Sequence, residues 1–296
     1  MAGRIVVGTS SWADPGFVAD WYPPGLPVRE RLSWYAEHFD AVEVNSTFYA
    51  IPMVSAVARW VDETPAGFTF DVKLHRLLSR HAAPLTSLPR DLRDDVELGA
   101  RGRVRLTPEL EAALAERTLE SVQPLVEAGR LAPFLLQLSP AFAPGRHALS
   151  ELDALVERLA PHPVAVELRH RAWVRGERRE ETLGHLEKIG AIYVCVDAPQ
   201  GRPVTLMPPL DAVTRRDVVY FRAHGRNAKG WVKQTSVAER FGYVYSDAEL
   251  EELRGRVEHL AEEADEVRMM FNNNASNDAP TAAQRFRQML GQVHVG

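Results

Sequence analysis

The chain has 296 residues, 45% hydrophobic and 25% charged, with a formal net charge of −5 at pH 7, enough apolar residue to bury a substantial core. That charge gives no global attraction for polyanions, so a nucleic-acid role would need a local basic patch. A single cysteine, Cys195, excludes an intramolecular disulfide. No apolar run nears the roughly 18 residues of a membrane span, and the chain enters a strand too soon for a signal peptide, so a reducing, cytoplasmic setting is expected.

Short runs rich in Val, Ile and Phe alternate with segments of helical period, the βα pattern of a parallel sheet. A first strand is predicted at 4–9, "RIVVGT". A helix over 28–39 follows, with Leu32, Tyr35, Ala36 and Phe39 on one stripe. Strands at 41–46, "AVEVNS", and 68–74, "FTFDVKL", come next, and then a long insertion over 82–106. Thr107 and Pro108 read as N-cap and first helical residue of a helix over 107–128. Strands follow at 133–138, 163–168 and 191–196; the proline-rich connection 198–215 offers little regular helix. After a strand at 218–223, Ser246 and Glu249 form a capping box opening a helix over 246–263. The last strand is 266–271. No internal repeat or linker-like stretch interrupts the pattern, so 1–296 reads as one domain.

Eight strands with intervening helices predict an α/β fold: a single (β/α)8 TIM barrel with a long insertion after strand 3 and a degenerate connection between strands 6 and 7. A doubly wound open sheet is the alternative. Parity separates the two, because an open sheet lies under helices on both faces and a barrel has one polar-tolerant interior face. Polar residues keep parity strand after strand: Glu43 and Asn45; Asp71, Lys73 and His75; Gln137 and Ser139; Glu167 and Arg169; Cys195 and Asp197; Tyr220, Arg222 and His224; Asn272 and Asn274. They gather at the C-terminal strand ends, where active sites of such barrels lie.

The segments "VGTSSW", "WYPPGLP", "FDAVEVNSTFYAIP", "GFTFDVKLHR", "FLLQLSPAF", "AVELRHRAW", "FRAHGR", "YVYS" and "FNNN", in this order and spacing, resemble the domain-of-unknown-function 72 (DUF72) family over nearly the whole chain. The resemblance implies a TIM barrel and no settled activity. It implies motif positions at Glu43, Asn45, Tyr49, Lys73, Arg76, Gln137, Glu167, Arg169, His170, Trp173, Arg222, His224, Gly225, Asn272 and Asn273. Two departures bear on the last loop: "NASNDAP" follows strand 8, and Ala282-Ala283 stands where the family pattern has asparagine–alanine.

The chemistry of these residues is open to several readings. Lys73 among low-dielectric walls can act as a base or form a Schiff base, and two carboxylates in different environments can divide acid and base roles. The plainer reading is that Asp71, Lys73, Glu43 and Glu167 neutralise one another in a buried polar layer. Arg222 and Arg226 suggest an anion clamp with backbone N–H groups near Gly225, the usual phosphate corner, although Asp278 would oppose a phosphate there. Glu43, Glu167, Asp197 and His224 could converge on a divalent metal, but no local spacing is diagnostic. His170 has outward parity. Trp12, Phe48, Tyr49, Trp173 and Trp231 could form a stacking rim or simply cover the barrel top. The basic run 101–105, "RGRVR", could touch phosphates or form a surface turn, and Cys195 fits a buried core position. No nucleotide-cofactor motif is present.

The expectation is an enzyme performing acid/base chemistry on a small anionic or polyhydroxylated metabolite. Hydrolase, lyase and isomerase types remain open. Lys73, Glu167, Glu43 and His224 form the catalytic set. Asn45, Tyr49, Arg76, Gln137, Arg169, Trp173, Arg222, Gly225, Asn272 and Asn273 form the substrate-binding set. The alternative is a nucleic-acid-binding or -processing barrel resembling metal-dependent endonucleases; the sequence does not decide whether the long strand-7 loop, 225–245, is a lid.

Overall fold

Eight parallel strands close in sequence order into a barrel, in a computed structural model that describes residues 2–94, 96–233 and 242–292, the side chains of 231–233 excepted. The strands are β1 (Arg4–Thr9), β2 (Ala41–Val44), β3 (Thr69–Lys73), β4 (Leu131–Gln137), β5 (Val164–Glu167), β6 (Ile192–Asp197), β7 (Val219–Ala223) and β8 (Glu266–Phe271). β8 pairs with β1 over six residues, which closes the barrel and excludes the open sheet. β2 is two residues shorter than predicted, because Asn45 leaves the extended region to begin the turn Ser46–Phe48.

The helices form where the caps predict them. In α4 (Pro108–Glu127), the Thr107 hydroxyl accepts from the Leu110 N–H at 3.2 Å. α8 (Asp247–Glu263) opens with the reciprocal Ser246–Glu249 bonds of a capping box. The stripe at 28–39 divides into a 3-10 turn and α2 (Arg31–Ala36), with Leu32, Tyr35, Ala36 and Phe39 all buried. α7 (Ala228–Lys233) follows β7 and α9 (Asp278–Met289) follows β8. Among its described residues the insertion holds short 3-10 turns and two isolated bridges, Pro84–Arg103 and Leu98–Val104. No α-helix lies between β6 and β7. Among the described residues no helix is long and apolar enough to cross a membrane.

Register fixes which side chains face inward. Glu43 pairs with Asp71 and Gln137 with Glu167. Arg222 pairs with Met270 and Tyr220 with Arg268. The opposite parity, including Val42, Val44, Val72, Phe134, Leu136 and Val166, is buried beneath the helices.

Strand 6 departs from the expected parity. Val194 and Val196 pair with Tyr220 and Arg222, so they face the interior while Cys195 and Asp197 face outward. The missing helix is the reason. Outside β6 the cover is Arg256 from α8, which bonds the Val196 carbonyl and Asp211, and this polar cover accommodates polar residues. Cys195 is buried there, as expected, against the Ala212 carbonyl; burial raises its thiol pKa to about 12.

Candidate active site

Inside the barrel, Arg268 lies deepest, donating to Asp71 through Nε and Nη2, both at 2.7 Å, and to Thr69 and Glu266. Burial pushes Asp71 up to about pKa 6 even against this pairing. One layer nearer the mouth, Arg222 is fully buried. Its Nε and Nη2 hold both Glu43 oxygens at 2.8 and 2.7 Å, and its Nη1 holds Glu167 Oε2 at 2.5 Å. Tyr220 adds a third donor to Glu43 at 3.1 Å.

Glu167 Oε1 accepts from Gln137 Nε2 at 2.9 Å and lies 3.1 Å from His224 Nε2 and 3.8 Å from Arg169 Nε. A carboxylate only accepts, so Nε2 of His224 carries the proton. Nδ1 then accepts from Asn272 Nδ2 at 2.9 Å, which fixes the tautomer. Burial lowers the pKa of His224 and outweighs the upward pull of Glu167. Burial alone would raise Glu167, but Arg222, His224 and Arg169 together hold it well below the usual carboxylate range.

Every carboxylate facing the interior is therefore taken by arginine, and Lys73 is left over. It is 8% exposed, and its Nζ has no hydrogen bond or ion pair among the described residues. The Thr47 hydroxyl bridges the carbonyls of Val44 and Lys73, and the Arg76 N–H bonds the Phe48 carbonyl. These bonds set the Phe48 ring 4.8 Å from Lys73 Nζ, and the Arg76 guanidinium lies 5.7 Å from the same ring. Burial, then the Arg222 charge, brings the Lys73 amine down to about pKa 7, against the pull of Glu43 and Glu167. Arg76 Nε is likewise buried without a partner.

His81 completes this corner. Its ring meets Phe48 edge-on at 5.1 Å, and its Nε2 lies 3.3 Å from the Gln137 carbonyl. Burial, reinforced by Arg169, Lys73 and Arg76, lowers it to about pKa 4, so it is neutral at pH 7. His81 was not legible in the sequence because it sits in a loop with no parity to mark it. Across the mouth, Asn45 and Asn274 both donate to the Ser10 carbonyl, at 2.9 and 3.0 Å, leaving each Oδ1 buried and unbonded.

The structure thus brings together Glu43, Gln137, Glu167, Arg169, Arg222, His224 and Asn272, with Lys73 and Arg76 above them. Other expectations are corrected. The mutual neutralisation of Lys73 with the carboxylates does not occur, because Arg222 and Arg268 take those oxygens. Arg222 and Arg226 form no clamp: Arg226 points outward to Asp197, at 2.8 Å, and to Glu252. The Gly225 N–H is not free for an anion, since it donates to Tyr245 Oη at 2.9 Å. The positive φ there and the close approach of Tyr243 explain the glycine.

The four metal-ligand candidates do not converge, because Asp197 faces away and Arg222 lies between Glu43 and Glu167. Among the described residues no cluster of three or more His, Cys, Asp or Glu side chains is arranged for a metal. Asn273 ties down the strand-7 loop through the Tyr243 carbonyl. Trp173 is sealed, 4% exposed, with its Nε1 on the Phe142 carbonyl, so it does not reach the mouth. Trp12 packs on Trp60, and Tyr49 is exposed beside Phe48. Arg105 of the basic run pairs with Glu97. The Trp231 side chain and the centre of the candidate lid, 234–241, lie outside the described residues.

A closed (β/α)8 barrel with two internal arginine–carboxylate layers beneath a cation-rich C-terminal mouth defines the class of protein. The family model "Protein of unknown function DUF72" matches residues 6–295, and the chain belongs to that family. The UPF0759 protein YunF of Bacillus subtilis (strain 168) is 28% identical over 99% of this chain and 96% of its own length. A DUF72 family protein from Enterococcus faecalis V583 has a solved structure with a TM-score of 0.77, 28% identical and covering 98% of both chains. Another, from Thermotoga maritima MSB8, has a TM-score of 0.78 at 28% identity, covering 97% of this chain and 99% of its own.

Proposed function

We propose that the barrel is an enzyme acting on a small anionic, polar metabolite at its C-terminal mouth, with Lys73 as the group that moves a proton. The observation that carries this reading is a nearly buried lysine without a counter-ion above carboxylates that arginine already saturates. Its pKa of about 7 leaves both protonation states populated near neutrality, the condition for general acid/base work. Arg76 and Arg169 flank it and would hold the anionic group of the substrate. Glu167 stays ionised and fixes His224, and Glu43 locks Arg222. Gln137, Asn272 and Asn45 supply a rigid polar wall, a preorganised setting in which charge on the substrate is stabilised without reorganisation.

The test is a thermal-shift and calorimetric panel of 2-oxo acids, sugar acids, sugar phosphates, neutral polyols and a single-stranded oligonucleotide. Anionic metabolites are expected to raise Tm, and the effect is expected to be lost in Lys73→Met and weakened in Arg76→Gln. A shift that survives both substitutions would move the site elsewhere. Oligonucleotide binding that weakens steeply with salt, with no small-molecule binding, would replace this reading by a nucleic-acid one.

A further inference from the structure

We propose that Lys73 is a nucleophile that forms a Schiff base with the aldehyde or ketone carbon of an anionic carbonyl substrate. The inference rests on the reading of the mouth as an anion-binding site and assigns it a substrate class.

A lysine retained for structure in a barrel interior takes a carboxylate partner, because an unpaired buried charge is costly. Here the partners are present and already used. Arg222 and Tyr220 hold Glu43; Arg222, Gln137 and His224 hold Glu167; Arg268 holds Asp71. What remains around Nζ is the Phe48 ring at 4.8 Å and the guanidinium of Arg76 over the same ring. An apolar face and like charges favour the neutral amine, the form with a lone pair to donate.

Composition points the same way. Of 35 cationic side chains only four are lysines: Lys73, Lys188, Lys229 and Lys233. Arginine supplies positive charge almost everywhere, yet the cation beside Phe48 and Arg76 is a lysine, which can shed its proton and form an imine. Arg76 and Arg169 stand beside it to hold a carboxylate or phosphate on the same molecule, as a bound carbonyl acid requires.

The step balances within the site and water. The Lys73 lone pair forms the N–C bond as the carbonyl π pair moves to oxygen, which takes a proton. Nitrogen then gives up a proton, and the hydroxyl departs with another as water while the nitrogen pair closes the C=N bond. The product is the iminium itself, its nitrogen keeping one of the two amine hydrogens, with no net oxidation or reduction. Electrons from a neighbouring C–H or C–C bond can then flow into that iminium, the reaction class in which carbonyl substrates are isomerised or cleaved.

The test is reductive trapping of the intact protein. Glyoxylate, the smallest anionic aldehyde, and neutral glycolaldehyde are each added with cyanoborohydride, and adducts are mapped by peptide mass spectrometry. The expected result is one stable secondary amine on Lys73, formed at least about tenfold faster than on Lys188, Lys229 or Lys233. Labelling should rise through about pH 7. Lys73→Arg, which keeps the charge, should abolish the adduct. Arg76→Gln should slow glyoxylate and leave glycolaldehyde unchanged.

Adducts spread evenly over all four lysines would overturn the Schiff base. If anionic metabolites still raised Tm through Lys73 and Arg76, the acid/base reading would stand and only the covalent step would fall. If neither trapping nor anion binding were seen, both would fall. The mapping needs only the wild-type chain, so a variant that fails to fold leaves the outcome decided.

Discussion

Lys73 on β3 and Arg222 on β7 share the same polar interior, yet their chemistry differs because one can lose its proton and the other cannot. Arg222 is planar and always charged, and it spans two carboxylates at once. Lys73, excluded from those oxygens, carries the electrostatic cost of burial, and that cost is measurable through pH. The unfolded chain keeps the lysine proton to about pH 10, whereas the folded chain releases it near pH 7. Between those values the unfolded state binds one more proton. Stability from this residue therefore rises with pH, by about 1.4 kcal/mol per pH unit, and is flat and least favourable below pH 7. Urea unfolding at about pH 7 and about pH 9 should show the wild type gaining about 2 kcal/mol relative to Lys73→Met. A constant difference between the two proteins would mean that the folded amine keeps its proton and is no base.

Strand β6 shows where sequence reading of an element stops. Parity identified the interior of six strands, β2 to β5, β7 and β8, because their outer faces lie under apolar helix stripes, so polarity and inwardness coincide. After β6 the helix is missing, Arg256 lies on the outer face, and the coincidence fails. Asp197 looked like a mouth residue and is an outer anchor. It accepts from Arg226 and from Tyr245 at 2.7 Å and forms an ion pair with Arg256 at 3.5 Å, and Tyr245 in turn holds the Gly225 N–H. The cluster fastens the strand-7 loop to the barrel wall. Asp197→Ala removes the acceptor of the Arg226 guanidinium and of a buried hydroxyl and the ion-pair partner of Arg256, and should cost about 3 kcal/mol in urea unfolding. Anion binding at Lys73 and Arg76 should be retained in the folded variant. Loss of that binding at full stability would return Asp197 to the site.

The molecule as a whole carries −5 and yet presents lysine and arginine at its mouth, because Glu43, Glu167 and Asp71 in the barrel interior are already paired with Arg222 and Arg268. Branched aliphatic layers commonly fill such barrels; here two guanidiniums, Arg222 and Arg268, stack along the axis with carboxylates around them. The residue types of these layers could be read from the sequence, but their partners could not. Arg222 is 179 residues from Glu43, and Arg268 is 197 from Asp71. No local spacing encodes a pair set by strand register around a closed sheet.

Whether the deeper layer contributes stability or only specifies closure is decided by removing it in two ways. Arg268→Met leaves Asp71 buried with no cation, and should cost about 3–5 kcal/mol near pH 8. The loss should shrink on acidification, because a carboxyl whose folded pKa is raised regains stability as pH falls and the folded state takes up the proton. Asp71→Leu added to Arg268→Met removes the stranded charge and should bring stability back to within about 1 kcal/mol of the wild type. Glu266 at the barrel rim can turn to solvent in both variants. A double variant as unstable as the single one would mean that the layer holds the barrel through the shape of its hydrogen-bonded network, including Thr69, and that charge neutralisation is secondary to it.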